Sequence, residues 1–289
     1  MSFFLISTSS AEYLAAGIGD ITGKDRVILS EKNREGERYF PDGEVYVKIS
    51  KANKLKNKRV VVLHSGAPRP NEGLLELENI LQIIKGSKAR SIEIFFTYFP
   101  YGMQDMIFEK GEANVAESLI KKLTSLYKVR KIYIIDAHFN GRPWLKKYPV
   151  KVVSAAALLI ENAKKEFGSD ICILSPDNGG KRRTKIAGLN KKRINSFNVE
   201  MKGENIDLKD KKIGVIDDMV KTGGTLVKFH NIAKRSQAKN VLALITHGVI
   251  PSGISRIKNI YDKVYLANTI DREEANVDVT NLILETIEE

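Results

Sequence analysis

The stretch VIDDMVKTGGTL, residues 215–226, decides how this chain is read. It closes an apolar run, places two carboxylates side by side at Asp217 and Asp218, and passes through Thr222, Gly223, Gly224 and Thr225 into the helical pattern TLVKFHNIAKR. A strand, a small-residue loop and a helix in that order let consecutive backbone N–H groups converge on an anion, with the positive end of the helix dipole behind them. No Lys follows Gly224, so the GxxxxGK[ST] spacing of a P-loop nucleotidase is disfavoured. A bare TGGT is a common strand-to-helix turn. The two preceding carboxylates, one sugar length from a bound phosphate, can accept hydrogen bonds from vicinal hydroxyls or hold a metal that does. A sugar phosphate uses both features.

Outward from this stretch, short apolar runs alternate with helical patterns along the chain. FFLIS, RVVVLHSG, IEIFFTYF, KIYIIDAH, VKVVS, ICILSPD, KIGVIDD, VLALITHG and KVYLAN are the expected strands. NEGLLELENILQIIKG and NVAESLIKKLTSLY carry the 3.6-residue repeat of helices. The expectation is an α/β protein with parallel sheets. Nine strands exceed one modest sheet, so two domains are expected, 1–147 and 148–289, joined at the charged, proline-containing KKYPVK. Ligands bind beyond the carboxyl ends of parallel strands, which gives weight to HSG (64–66), DAH (136–138), SPDNGG (175–180) and THG (246–248).

Composition bounds the function. With 43% hydrophobic and 28% charged residues, and no apolar run near the roughly 18 residues of a membrane span, a soluble cytoplasmic protein is expected. MSFFLISTSSAEYL reads as a first strand and not as a signal peptide. Cys172, the single cysteine, excludes an internal disulfide and reads as a buried small hydrophobe. A formal charge of +12 favours anionic partners, but no helix-turn-helix or aromatic-basic motif accompanies it, so neither nucleic acid nor membrane is expected as partner. His64, His230 and His247 read as structural, and Trp144 as packing.

DDMVKTGGT resembles the ribose-phosphate binding loop of type I phosphoribosyltransferases. RYFPDGEVYVKI (38–49), PNEGLLELENIL (70–81), FFTYFPYGMQDMIFEKGE (95–112), IDAHF (135–139), SPDNGGKRRTKIA (175–187), KKRINSFNVEM (191–201) and THGVIPSG (246–253) narrow the likeness to ribose-phosphate pyrophosphokinases. These segments run in that family's order over nearly the whole length. The resemblance implies two tandem phosphoribosyltransferase-like domains, each a mainly parallel sheet flanked by helices. It implies that ATP and ribose 5-phosphate are the substrates, that magnesium is the cofactor, and that the chain forms a homo-oligomer with its ATP site near a subunit interface. By position, Asp217 and Asp218 would bind the ribose hydroxyls, and Thr222, Gly223, Gly224 and Thr225 the 5-phosphate. Phe40, Asp42 and Glu44 match an adenine-contacting loop that reaches into a neighbouring subunit. Gln104, Asp105 and His138 would bind ATP, His138 and Asp177 would lie at the metal, and Lys191 and Arg193 would act on the transferring group.

The segment YGMQDM carries Met103 and Met106 where the family pattern, YARQD and a basic residue, has positive charge. Methionine offers apolar contact where arginine offers paired hydrogen bonds. Compensation by Lys110 or Arg142, a different nucleotide donor or affinity, and loss of the full activity are the open alternatives. A phosphoribosyltransferase and a regulatory homologue that binds ribose phosphates or nucleotides are the competing functions.

Overall fold

In RVVVLHS (59–65) every residue after Arg59 is buried. Burial on both strand faces is the mark of a parallel sheet held between helices. The structure is a computed structural model and describes residues 3–176 and 208–289. Over these residues the chain divides into two compact units, 1–153 together with 280–289, and 154–279.

The first unit holds a six-stranded sheet of β1 (Phe4–Ser7), β2 (Val27–Leu29), β3 (Arg59–Ser65), β4 (Ser91–Tyr98), β5 (Lys131–Ile135) and β6 (Val150–Val153). All pairs are parallel, in the order β2-β1-β3-β4-β5-β6. Its helices are α1 (Glu12–Thr22), α2 (Pro70–Gly86) and α3 (Val115–Ser125). Alternate residues Val60, Val62, Ile92, Ile94, Phe96, Ile132 and Ile134 share one core with Leu77, Ile80, Leu81 and Ile84 of α2 and Leu119, Ile120 and Leu123 of α3. Each large aliphatic side chain so buried contributes about 1.5–3 kcal/mol. Proline at the first position of α2 costs no helix bond, and Asn114 caps α3 by accepting from the Glu117 backbone N–H at 3.1 Å.

The second unit continues with α4 (Ala156–Phe167), β7 (Cys172–Leu174), β8 (Lys212–Val220), α5 (Gly224–Arg235), β9 (Asn240–Gly248), α6 (Pro251–Lys258) and β10 (Lys263–Leu266). Its four strands are parallel in the order β10-β9-β8-β7. A last helix, α7 (Thr280–Glu288), returns to the first unit and packs on α1. Arg59, at the start of β3, fixes it by donating to the Ile287 carbonyl at 2.8 Å while pairing with Glu93 at 2.8 Å.

The α/β architecture with parallel sheets is as expected, with three differences. β2 was not among the expected strands, because three residues between a 3-10 turn and a polar loop carry too little pattern to register. The expected joint near 147 precedes VKVV, which pairs with β5, so the unit boundary falls after Val153 and α7 belongs to the first unit. Cys172 is partly exposed at the start of β7, packed against the core without being enclosed by it.

Candidate functional site

In the second unit β8 carries Asp217 and Asp218 to the end of the sheet, where both are buried. Successive strand residues point to opposite faces, so the two carboxylates diverge, and the Asp218 backbone N–H donates to Asp217 Oδ1 at 3.0 Å. Burial, and after it the Asp217 charge, push the Tyr261 hydroxyl well above its ordinary value, so that this group stays protonated and donates to the Leu226 carbonyl at 2.7 Å.

Past Val220 the chain turns through Lys221 and Thr222 to Gly223, whose φ of +74° lies in the left-handed region that glycine reaches without strain. Gly223 caps α5, and Thr222 and Thr225 stand exposed on either side of it. No side chain occupies the cap, so the first N–H groups of α5 have no capping acceptor. Thr222, Gly223, Gly224 and Thr225 are thereby brought together with Asp217 and Asp218 within one strand–loop–helix.

The loop is shaped by α6, which sequence reading missed. A Cβ on Gly253 would lie 2.7 Å from the Lys221 carbonyl carbon and nearer still to its oxygen, so only glycine fits. A Cβ on Gly223 would in turn meet the Gly253 carbonyl oxygen and Ile257, each at 3.2 Å. The glycine of this approach stands in THGVIPSG, in the first turn of α6, and the segment does not name its partner.

In the first unit, Phe40, Asp42 and Glu44 occupy a hairpin closed by bonds from Phe40 N to Glu44 O and from Gly43 N to Phe40 O, both 2.8 Å, with Glu44 N donating to Asp42 Oδ1 at 3.1 Å. All three side chains are exposed or half-exposed, Phe40 at 44%. Gln104 is exposed in the segment after β4, and His138 is half-buried after β5. Just before it, Asp136 takes a φ of +38°, a costly conformation for a residue with a side chain and one that concentrates at functional sites.

Asp105, expected at the ATP site, is held by a neighbouring arginine. It is 2% exposed, and Arg142 holds both its oxygens, from Nε at 2.6 Å and Nη2 at 3.1 Å. The Trp144 indole donates to the Asp105 carbonyl at 3.0 Å. Asp105 therefore ties the segment after β4 to that after β5, and Trp144 is a packing residue within the first unit, its ring tilted by 35° against that of Phe139 at 5.1 Å. Met103, Met106, Ile107 and Phe108 around it are exposed.

His64 is fully buried, and burial pushes its imidazole down to about 3, so it is neutral; Nδ1 meets Thr8 Oγ1 at 3.0 Å. His247 is buried with Nδ1 2.8 Å from Thr269 Oγ1. Asp177, Lys191 and Arg193 lie outside the described residues. Among the described residues no three His, Cys, Asp or Glu side chains form a metal cluster. Magnesium needs only one or two carboxylates when substrate phosphates supply the other oxygens, and Asp217 and Asp218 are oxygen donors of the required kind. No described helix is long and apolar enough to cross a membrane.

A parallel α/β sheet that delivers two carboxylates and a glycine-capped anion loop to one strand end defines a protein of the phosphoribosyltransferase-like class. A family model described as the N-terminal domain of ribose phosphate pyrophosphokinase matches residues 3–126. The chain is 30% identical over 257 residues to a ribose-phosphate pyrophosphokinase of Pyrococcus furiosus, covering 85% of this chain and 89% of that one. With the enzyme of that name from Methanothermobacter thermautotrophicus the identity is 26% over 296 residues, 99% of this chain and all of the other. The fold matches a crystal structure of phosphoribosylpyrophosphate synthetase from Mycobacterium smegmatis with a TM-score of 0.80 at 21% identity, covering 100% and 98% of the two chains. The chain belongs to the ribose-phosphate pyrophosphokinase family.

Proposed function

We propose that the protein transfers the β,γ-diphosphoryl group of ATP to the 1-hydroxyl of ribose 5-phosphate, releasing AMP and phosphoribosyl pyrophosphate. The observation that carries this reading is the open, glycine-capped N-terminus of α5 directly after the buried pair Asp217–Asp218. The phosphate of the sugar sits on the N–H groups and hydroxyls of Thr222 to Thr225, and the carboxylates accept from the ribose hydroxyls. The anchored sugar presents its 1-hydroxyl oxygen to the β-phosphorus, a new O–P bond forms, and the bond from that phosphorus to the AMP oxygen breaks. Such transfer needs no protein nucleophile; the enzyme works by positioning and by neutralising charge.

ATP falls to Phe40, Asp42, Glu44, Gln104 and His138, with Asp105 acting through its bridge to Arg142. Lys191 and Arg193 would donate to the transferring group. Magnesium, when bound by the polyphosphate with Asp177, His138 or the carboxylates of β8, supplies further neutralisation of phosphate charge. The exposed hairpin bearing Phe40 supports a homo-oligomer in which one subunit's hairpin serves its neighbour's ATP site.

One observation favours a second reading. The ATP-side segment exposes Met103, Met106, Ile107 and Phe108 and spends its buried carboxylate on Arg142. That composition suits a homologue that binds ribose phosphate but handles ATP poorly and regulates a partner. A coupled assay with ribose 5-phosphate, ATP and magnesium separates the two: AMP formation abolished in Lys191→Ala supports the kinase, and binding of ribose 5-phosphate without AMP formation supports the regulator.

A further inference from the structure

The phosphate loop has a cation beside it that no sequence pattern singled out. α6 docks on the loop through Gly253 and Ile257, whose positions are fixed by the close approaches to Lys221 and Gly223. Arg256 follows Gly253 by three residues, so it rises from the same side of the helix. There its Nη1 donates to the Thr222 carbonyl oxygen at 3.4 Å, a long bond that occupies one of the five N–H donors of a guanidinium. The side chain is exposed, and no carboxylate among the described residues pairs with it, in contrast to Lys212, Lys234 and Lys263 of the same unit, each held by an acid within 3.3 Å. An arginine placed at an anion loop and left without a counter-charge is suited to grip a phosphate through two N–H groups at once.

We infer that Arg256 is a substrate-binding residue, closing over the 5-phosphate of ribose 5-phosphate from the side opposite the N–H groups of α5. The inference rests on the proposed ribose-phosphate reading and adds to it a residue outside the strand–loop–helix motif. Binding to a dianion trades the long bond at Thr222 for two charge-assisted bonds, while the docking of α6 is left to Gly253 and Ile257.

The test compares wild type, Arg256→Lys and Arg256→Met by steady-state kinetics, by calorimetric binding of ribose 5-phosphate, and by thermal melting. Arg256→Met is expected to raise the KM for ribose 5-phosphate about tenfold, equivalent to about 1.4 kcal/mol. The KM for ATP, the kcat at saturation and the melting temperature stay unchanged, and Lys restores part of the affinity. Calorimetry with unphosphorylated ribose should not distinguish the variants, since it lacks the group that Arg256 holds. Equal KM values for ribose 5-phosphate in wild type and Arg256→Met, or a fall in melting temperature that accounts for the whole effect, would overturn the inference and leave the substrate reading intact. Failure of the wild type itself to bind ribose 5-phosphate would overturn both.

Discussion

Replacing Gly253 by alanine isolates the geometry on which phosphate binding depends. The added methyl would stand 2.7 Å from the Lys221 carbonyl carbon, closer to its oxygen, and 3.3 Å from the Thr222 carbonyl carbon, where ordinary contacts begin at 3.4 Å. All three obstacles are backbone, so none can rotate aside. Either α6 lifts or Lys221–Thr222 shifts, by on the order of 1 Å, and a misplacement of that size away from the reacting atoms costs about 100-fold. Overpacking of this kind costs about 1–3 kcal/mol of stability, which a folded enzyme survives. The kcat/KM for ribose 5-phosphate should fall about 100-fold, with the KM for ATP little changed. Gly86, at the end of α2, is the control: a Cβ there meets nothing within 4 Å, so Gly86→Ala should leave activity intact and stability equal or higher by up to about 1 kcal/mol. A Gly253→Ala enzyme with the wild-type KM for ribose 5-phosphate would refute the claim that α6 shapes the loop.

Three further outcomes follow from the same structure. Asp218→Asn keeps shape but removes a buried charge at the sugar end, so affinity for ribose 5-phosphate should drop at least tenfold with unchanged ATP affinity; calorimetry showing no loss would remove Asp218 from the site. His64, neutral with a folded value of about 3 against an ordinary 6.5, contributes stability that is full above about pH 6.5 and is lost as pH falls toward 3, because the unfolded chain takes the proton first. Denaturant titrations at pH 7 and 5 should therefore differ by about 2 kcal/mol in wild type and by much less in His64→Gln; identical slopes in both would count against burial as the cause. Burial acts to raise the Glu93 carboxyl, yet the paired bonds from Arg59 outweigh it and hold the group below its ordinary value. Arg59→Ala should cost about 3–5 kcal/mol by stranding that charge and freeing α7, and Arg59→Met with Glu93→Met should recover most of it, a pattern that thermal melts would show or deny.

What could be read ahead of the structure was local. The two-faced burial of RVVVLHS and the helical repeat in NEGLLELENILQIIKG announce themselves within a few residues, as do the carboxylates and glycines of DDMVKTGGT. What escaped depends on residues distant in sequence. The bridge from Asp105 to Arg142 spans 37 positions, and the approach of Gly253 to Lys221 spans two elements; neither residue type hints at its partner. Arg256 looked like one more basic residue in a chain with 47 of them, and only its place over Thr222 sets it apart. The return of α7 to the first unit likewise rests on Arg59, more than 200 residues earlier in the chain.

Phosphorus NMR of the wild-type enzyme with ATP, ribose 5-phosphate and magnesium tests the central claim most directly, because it reports which phosphorus is attacked. Attack at the β-phosphorus predicts that AMP and a diphosphate ester on the ribose 1-oxygen appear together in equal amounts, with no ADP. ADP and a ribose bisphosphate would mean attack at the γ-phosphorus, and unchanged ATP alongside bound ribose 5-phosphate would mean that the chain binds the sugar phosphate without transferring to it; either spectrum contradicts the account.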